Sequence, residues 1–165
     1  MATRMSRWGV GPAFALSSLA YLGVAVGVWW WYGNPLRVTV DHYGLMVGVG
    51  VGLIAIGTVC YGAAAVQVMR AYNAGRLCTT GAYAACRHPI YAAWVFLIGP
   101  GVALLTNSWI ILTVPVVMLI SAQILVGAED ECLAGRFGRA YDDYRRRVPS
   151  LLPIGWLRRG APSSK

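Results

Sequence analysis

Charge is what this sequence has least of. Asp, Glu, Lys and Arg make up 12% of its 165 residues, about half the share of a soluble globular domain. Hydrophobic residues make up 58% and the mean hydropathy is +0.58. An ordinary soluble domain is thereby excluded, and the length suits one membrane domain over residues 1–165. Cysteine is also scarce. Cys60, Cys78, Cys86 and Cys132 show no C-x-x-C spacing, which supports neither a metal site nor a disulfide framework. The net charge of +8 does not point to nucleic acid, because the basic residues flank apolar runs instead of forming a stripe. Anionic lipid headgroups are the expected partner.

The apolar runs predict four transmembrane helices, near residues 9–32, 43–68, 90–106 and 109–128. The first ends in Trp29-Trp30-Trp31-Tyr32, an aromatic belt at an interface. It is too long, and lacks the small-residue cleavage site, for a signal peptide. Gly33-Asn34-Pro35 breaks it, and His42 is read as a solvated loop residue. In the second run Gly44, Gly48 and Gly52 share a face, and Gly23 and Gly27 repeat the spacing in the first. Such faces pack membrane helices closely; contact within the monomer is expected, with a homodimer as the alternative. Gly99-Pro100-Gly101 is expected to kink or unwind the third run. The tight Asn107-Ser108 turn makes the third and fourth antiparallel neighbours.

Residues 1–8, 69–89 and 129–165 fall on one side of this arrangement and hold 13 of the 14 Lys and Arg, leaving Arg37 on the other. Positive-inside bias therefore places both termini in the cytoplasm; for a bacterial chain the membrane is the inner one. After the last span, Leu133, Phe137, Tyr141 and Tyr144 follow helical spacing, which predicts a short amphipathic surface helix. Its Arg145-Arg146-Arg147 run suits lipid phosphates, and the last residues, 160–165, read as disordered.

Gly81 to Tyr91 is polar and turn-prone, and opens directly onto the third span. Pro89 suits the first turn of a helix. Such a helix directs the positive end of its dipole at Arg87 and His88, a candidate anion site at the membrane edge. Plain anchoring of Arg87 and His88 at headgroup level is the competing reading.

Leu77, Thr79-Thr80, Gly81, Tyr83 and Arg87-His88-Pro89-Ile90-Tyr91 resemble the G-x-Y-x-x-x-R-H-P-x-Y signature of the isoprenylcysteine carboxyl methyltransferase and phospholipid methyltransferase superfamily. About forty residues later that family carries an acid pair, a leucine, F-G-x-x-Y-x-x-Y and a V-P ending. Glu129-Asp130, Leu133, Phe137-Gly138, Tyr141, Tyr144 and Val148-Pro149 stand at the matching spacing. The resemblance covers residues 77–153. It implies an integral-membrane enzyme that methylates a lipophilic acceptor with S-adenosylmethionine, in a cytosol-facing pocket whose substrate enters from the bilayer. Gly81, Tyr83, Arg87, His88, Pro89, Tyr91, Glu129 and Asp130 would then hold the cofactor, and Tyr141 and Tyr144 would close over it. Arg87 suits the cofactor carboxylate, Glu129 or Asp130 its ammonium, and tyrosine faces its sulfonium or adenine. His88 or a carboxylate would take a proton from an amine or thiol acceptor.

The chain departs from the family at three points. Asp130 stands where the second acid is commonly Glu, with Glu131 as a possible substitute. Ala93 stands where many relatives have Gly, which is expected to narrow the pocket. Isoprenylcysteine methyltransferases carry an arginine just before the acid pair, whereas no basic residue occurs between Trp109 and Ala128. An unpaired buried carboxylate is costly, so a neutral or amine-bearing lipophile is expected in preference to a prenylcysteine carboxylate. Membrane sterol and enone reductases use a similar R-H-P-x-Y segment to hold NADPH, and a non-catalytic membrane module is the third possibility. The topology has its own check: cysteine-accessibility labelling should place residues 34 and 82 on opposite sides of the membrane. Labelling of both from one side would refute it.

Overall fold

The computed structural model describes residues 11–32 and 43–151. Residues 1–8, the Gly33-Asn34-Pro35 break, Arg37, His42 and residues 152–165 lie outside them. The described residues form an all-α membrane protein: α1 (Gly11–Tyr32), α2 (Tyr43–Asn73), α3 (Ala82–Ala85), α4 (Pro89–Thr106), α5 (Trp109–Phe137) and α6 (Arg139–Arg147). Of these, α1, α2, α4 and α5 are long and apolar enough to cross a bilayer. The Asn107-Ser108 turn forms as expected, with Asn107 left-handed at φ 49°, and α4 lies beside α5.

The core runs along one face of α5. Ile111, Val114, Met118, Ala122 and Val126 recur every three or four residues, and Phe14 and Ala25 of α1 join Tyr91, Val95 and Ala103 of α4 against them. Two hydrogen bonds tie the helices across lipid-facing seams. Tyr21 and Thr113 share one at 2.9 Å, and Tyr43 Oη donates to the Leu105 carbonyl at 2.9 Å.

The structure corrects several boundaries. Helix α2 runs five residues past Val68, to Asn73. Helix α5 does not stop at Ala128 but continues to Phe137, carrying the acid pair, Leu133 and Phe137 as one rigid extension of the span. Polar residues do not end a helix whose flank is still packed. Gly138, at φ 55°, supplies the break. The separate surface helix is therefore α6 alone, with Tyr141 and Tyr144.

The Gly-Pro-Gly disturbance lies one turn earlier than its residues. Trp94–Ile98 form a widened π-type turn, in which Gly99 N–H bonds to the Trp94 carbonyl. Pro100 has no N–H to continue the regular ladder, and the extra residue in the turn absorbs the mismatch.

The glycine faces are the clearest correction. Among the described residues a Cβ at Gly23, Gly27, Gly44, Gly48 or Gly52 would meet no atom within 4 Å, so none of these makes the expected contact with another described helix. The close-packed face of α2 is Gly50, Gly57 and Ala64, seven residues apart. A Cβ at Gly50 would lie 2.9 Å from the Gly101 carbonyl oxygen, and one at Gly57 would lie 2.7 Å from Ile98 Cγ1. The backbones of α2 and α4 thus touch directly, as small residues permit in a membrane. Gly57→Ala should lower the melting temperature in detergent by the equivalent of about 1–3 kcal/mol, the usual penalty for overpacking. Gly48→Ala should leave it unchanged or raise it. Equal effects of the two would contradict this packing.

Candidate functional site

Four segments distant in sequence meet where α2 and α5 end and α4 begins. Helix α4 opens at Pro89 as expected, with His88 as its cap residue. The amides just before it are not free for a ligand. Arg87 N–H bonds to the Pro149 carbonyl at 2.9 Å and His88 N–H to the Ser150 carbonyl at 3.1 Å. The chain beyond α6 thus returns alongside the Arg-His-Pro segment. Tyr144 Oη adds a second tie, donating to the Tyr83 carbonyl at 2.7 Å.

Asp130 is the hub. Its carboxylate accepts from Arg87 Nη1 at 2.5 Å, from His88 Nε2 at 3.0 Å and from Tyr141 Oη. Arg87 Nη1 is also 3.4 Å from Tyr141 Oη, and the half-exposed Arg145 Nε lies 4.0 Å from the carboxylate. Asp130 is only 4% exposed, and a charge so buried is tolerable only with this many partners. The chain itself therefore supplies the anion beside Arg87 and His88 that the dipole argument reserved for a ligand. The shorter Asp130 reaches all three partners without help. Glu131 is exposed and outside the site, so it does not substitute.

Glu129 has a different setting. One residue earlier on α5, it turns about 100° away from Asp130 and accepts a hydrogen bond from Tyr91 Oη at 3.0 Å. The Tyr91 ring stacks edge-on against Phe14 of α1, with centroids 5.0 Å apart.

Gly81 and Pro89 position the segment and do not line the cavity. Gly81 sits at φ 63°, where a side chain would be strained, and a Cβ there would press on the Gln67 amide. Gln67 Oε1 in turn accepts from Ala82 N–H at 3.0 Å. Burial raises the pKa of the phenols of Tyr83, Tyr144 and Tyr141, helped at Tyr141 by its bond to the Asp130 carboxylate. All three remain neutral hydrogen-bonding groups at physiological pH.

These residues bound a cavity of about 830 Å3, within the range of small-molecule sites. Tyr83, Arg87, His88, Tyr91, Glu129, Tyr141 and Tyr144 form its polar part. Phe14, Ser18 and Leu22 of α1, with Ile98, Val114 and Met118, line an apolar part that runs into the helix bundle. Helix α1 packs on α5 and α2 on α4, but α1 and α2 form no packed pair, and the apolar part lies between them. Asp130 and Ala93 are absent from the lining, so the alanine does not narrow the cavity. Among the described residues, two buried polar atoms on lining residues have no protein partner: Arg87 Nε and Ser18 Oγ.

Sequence reasoning did not find Gln67, Phe14, Ser18 or Arg136 as site residues. Arg136 was findable, standing seven residues after Glu129 and hence on the same face once α5 is recognised as unbroken. Among the described residues no three His, Cys, Asp or Glu side chains are placed to hold a metal ion.

The fold and site together define a multi-span membrane protein with a buried ion cluster beside a cavity whose apolar part lies between α1 and α2. No protein-family model matches the chain, and no solved structure does. A similar curated protein is the nickel-cobalt-cadmium resistance protein NccN of Alcaligenes xylosoxydans xylosoxydans, 33% identical over 91 residues. The match covers 50% of this chain, and the chain spans only 40% of the length of that relative.

The unequal roles of the two acids can be measured. Asp130→Asn should destabilise the detergent-solubilised protein by about 3–5 kcal/mol, because it leaves Arg87 buried without its counter-charge. Glu129→Gln should cost less than about 1 kcal/mol. A thermal-unfolding comparison that ranks them the other way would reverse the assignment.

Proposed function

We propose that this chain is an S-adenosylmethionine-dependent methyltransferase acting on a lipophilic acceptor that enters from the bilayer. One observation carries the reading. The two motif segments, about forty residues apart, converge on a single cavity with a polar end for a cofactor and an apolar end for a lipophile.

The lining suits the cofactor. Glu129 spends one oxygen on Tyr91 and keeps capacity to accept from an ammonium. Arg87 is paired to Asp130 through Nη1, yet its buried Nε–H remains to donate to a carboxylate. Four tyrosines, Tyr83, Tyr91, Tyr141 and Tyr144, offer faces to a cation or an adenine. Bound S-adenosylmethionine would supply an electrophilic methyl group. The protein's task is then to align the acceptor in line with that group and to keep water out. The α6 segment serves the second purpose, because its tyrosine bonds to Asp130 and to the Tyr83 carbonyl fasten it against the site.

His88 is the best-placed base for an acceptor that loses a proton. A carboxylate beside an arginine accepts, so Nε2 donates to Asp130 and the lone pair lies on Nδ1.

The likeness to NccN favours a role in a metal-resistance setting, with the cavity supplying the chemistry. S-adenosylhomocysteine should bind the purified protein and NADPH should not. Glu129→Gln should weaken S-adenosylhomocysteine binding about tenfold or more, the cost of losing a charge-assisted hydrogen bond. NADPH binding in its place would favour a reductase, and binding of neither would leave a non-catalytic module.

A further inference from the structure

We propose a second binding site, separate from the large cavity, that takes a phosphoryl group between the end of α2 and the loop after it. The inference does not rest on the methyltransferase reading.

A smaller cavity of about 260 Å3 lies between the last turns of α2 and residues 76–80. Gln67, Arg70, Thr79 and Thr80 line it and take no part in the large cavity. Ala71, Arg76, Leu77 and Cys78 form a wall common to both. Among the described residues no acid lines the smaller cavity, and neither Arg70 nor Arg76 forms an ion pair. Burial raises the pKa of the Cys78 thiol, so that group also brings no negative charge at neutral pH. The lining therefore offers two guanidinium groups, two hydroxyls and an amide, and its charge is wholly positive. A general attraction of basic residues to headgroups needs no such enclosure.

The frame of this cavity is fixed on both sides. Gly75, at φ 64°, ends α2, and the Arg76 N–H turns back to the Ala71 carbonyl at 2.9 Å. The exposed carbonyls of a helix end would repel an anion. Here the carbonyls of Arg70, Ala71 and Tyr72 are engaged by the amides of Ala74, Arg76 and Gly75. At the far end of the loop, Ala82 N–H donates to Gln67 Oε1 at 3.0 Å. Because Oε1 accepts that bond, the Gln67 amide nitrogen is left to donate to a ligand.

The size and the spread of donors select the ligand. The volume falls below the usual range of small-molecule sites, about 300–1,000 Å3, which suits a phosphate-sized group and not a whole lipid or nucleoside. A planar carboxylate matches one arginine fork, whereas a phosphoryl group has three acceptor oxygens for donors on different walls. A soluble phosphate ester and a lipid headgroup both carry that chemistry.

The test uses the purified full-length protein in phosphatidylcholine nanodiscs, dialysed to equilibrium against radiolabelled inorganic phosphate at constant ionic strength. Empty nanodiscs are subtracted. The parent should bind one phosphate saturably, and acetate should displace it about tenfold less well than unlabelled phosphate does. Arg70→Gln and Arg76→Gln should each weaken binding about tenfold, and Arg70→Lys should lose less than Arg70→Gln. Arg136 lines the large cavity alone, so Arg136→Gln should leave phosphate binding within about twofold. Nanodiscs containing phosphatidic acid then tell the source, with oleate at equal surface charge as the control for repulsion. Phosphate excluded by phosphatidic acid but not by oleate supports a headgroup as the occupant, and phosphate still bound in both supports a soluble ester. No saturable phosphate binding by the parent would overturn the proposal, as would binding that survives Arg70→Gln unchanged. Equal loss in Arg136→Gln and Arg70→Gln would move the anion to the large cavity and overturn the separate site.

Discussion

The carboxylate of Asp130 is the constraint on which the polar end of this protein depends. It draws together a loop residue, a helix cap and a surface helix: Arg87, His88 and Tyr141. None of these segments has much apolar surface of its own to bury. Without a shared buried counter-charge, Arg87 and His88 would have stronger reason to face water than the bundle. The cost of desolvating Asp130 is met only when all its partners are present. The polar end is accordingly either assembled as a whole or not assembled, and that gives the adjoining cavity a defined wall.

The bundle sets the cavity's other wall by where it packs and where it does not. Helices α2 and α4 meet backbone to backbone at Gly50, Gly57 and Gly101. Helix α1 is fastened to α5 along their packed faces and by the Tyr21–Thr113 bond. With each outer helix committed to a different inner one, space is left between α1 and α2, and the apolar part of the cavity occupies it.

Much of this was legible in the chain. Four apolar runs, the turn at Asn107 and the helix start at Pro89 follow from composition and from what proline can do. The convergence of Arg87, His88, Tyr91 and the acid pair was legible through spaced motifs. Other features depend on rotation about a helix axis, which spacing alone leaves undetermined. The heptad-spaced Gly50 and Gly57 and the four-spaced Gly44, Gly48 and Gly52 are equally visible as patterns, and only the position of α4 decides which set is used. The same holds for the acids. No sequence rule says which of Glu129 and Asp130 turns toward the cavity, and the extent of α5 past Ala128 hid Arg136 from view.

Adjacent acids on one helix can divide their work because successive side chains diverge by about 100°. A carboxylate that already accepts from Arg87, His88 and Tyr141 keeps little capacity for a ligand, since each partner consumes an acceptor lone pair. Asp130 is buried and accepts from three partners, whereas Glu129 holds one tyrosine and lines the cavity. The difference of one methylene follows the same division. The short side chain suits a site where partners close in from adjoining elements, and the longer one suits a wall that must project into a cavity. Exchanging the two residue types would misplace both carboxylates even though charge and helix are preserved. In this site the order of the acids along α5 therefore carries as much chemical information as their presence.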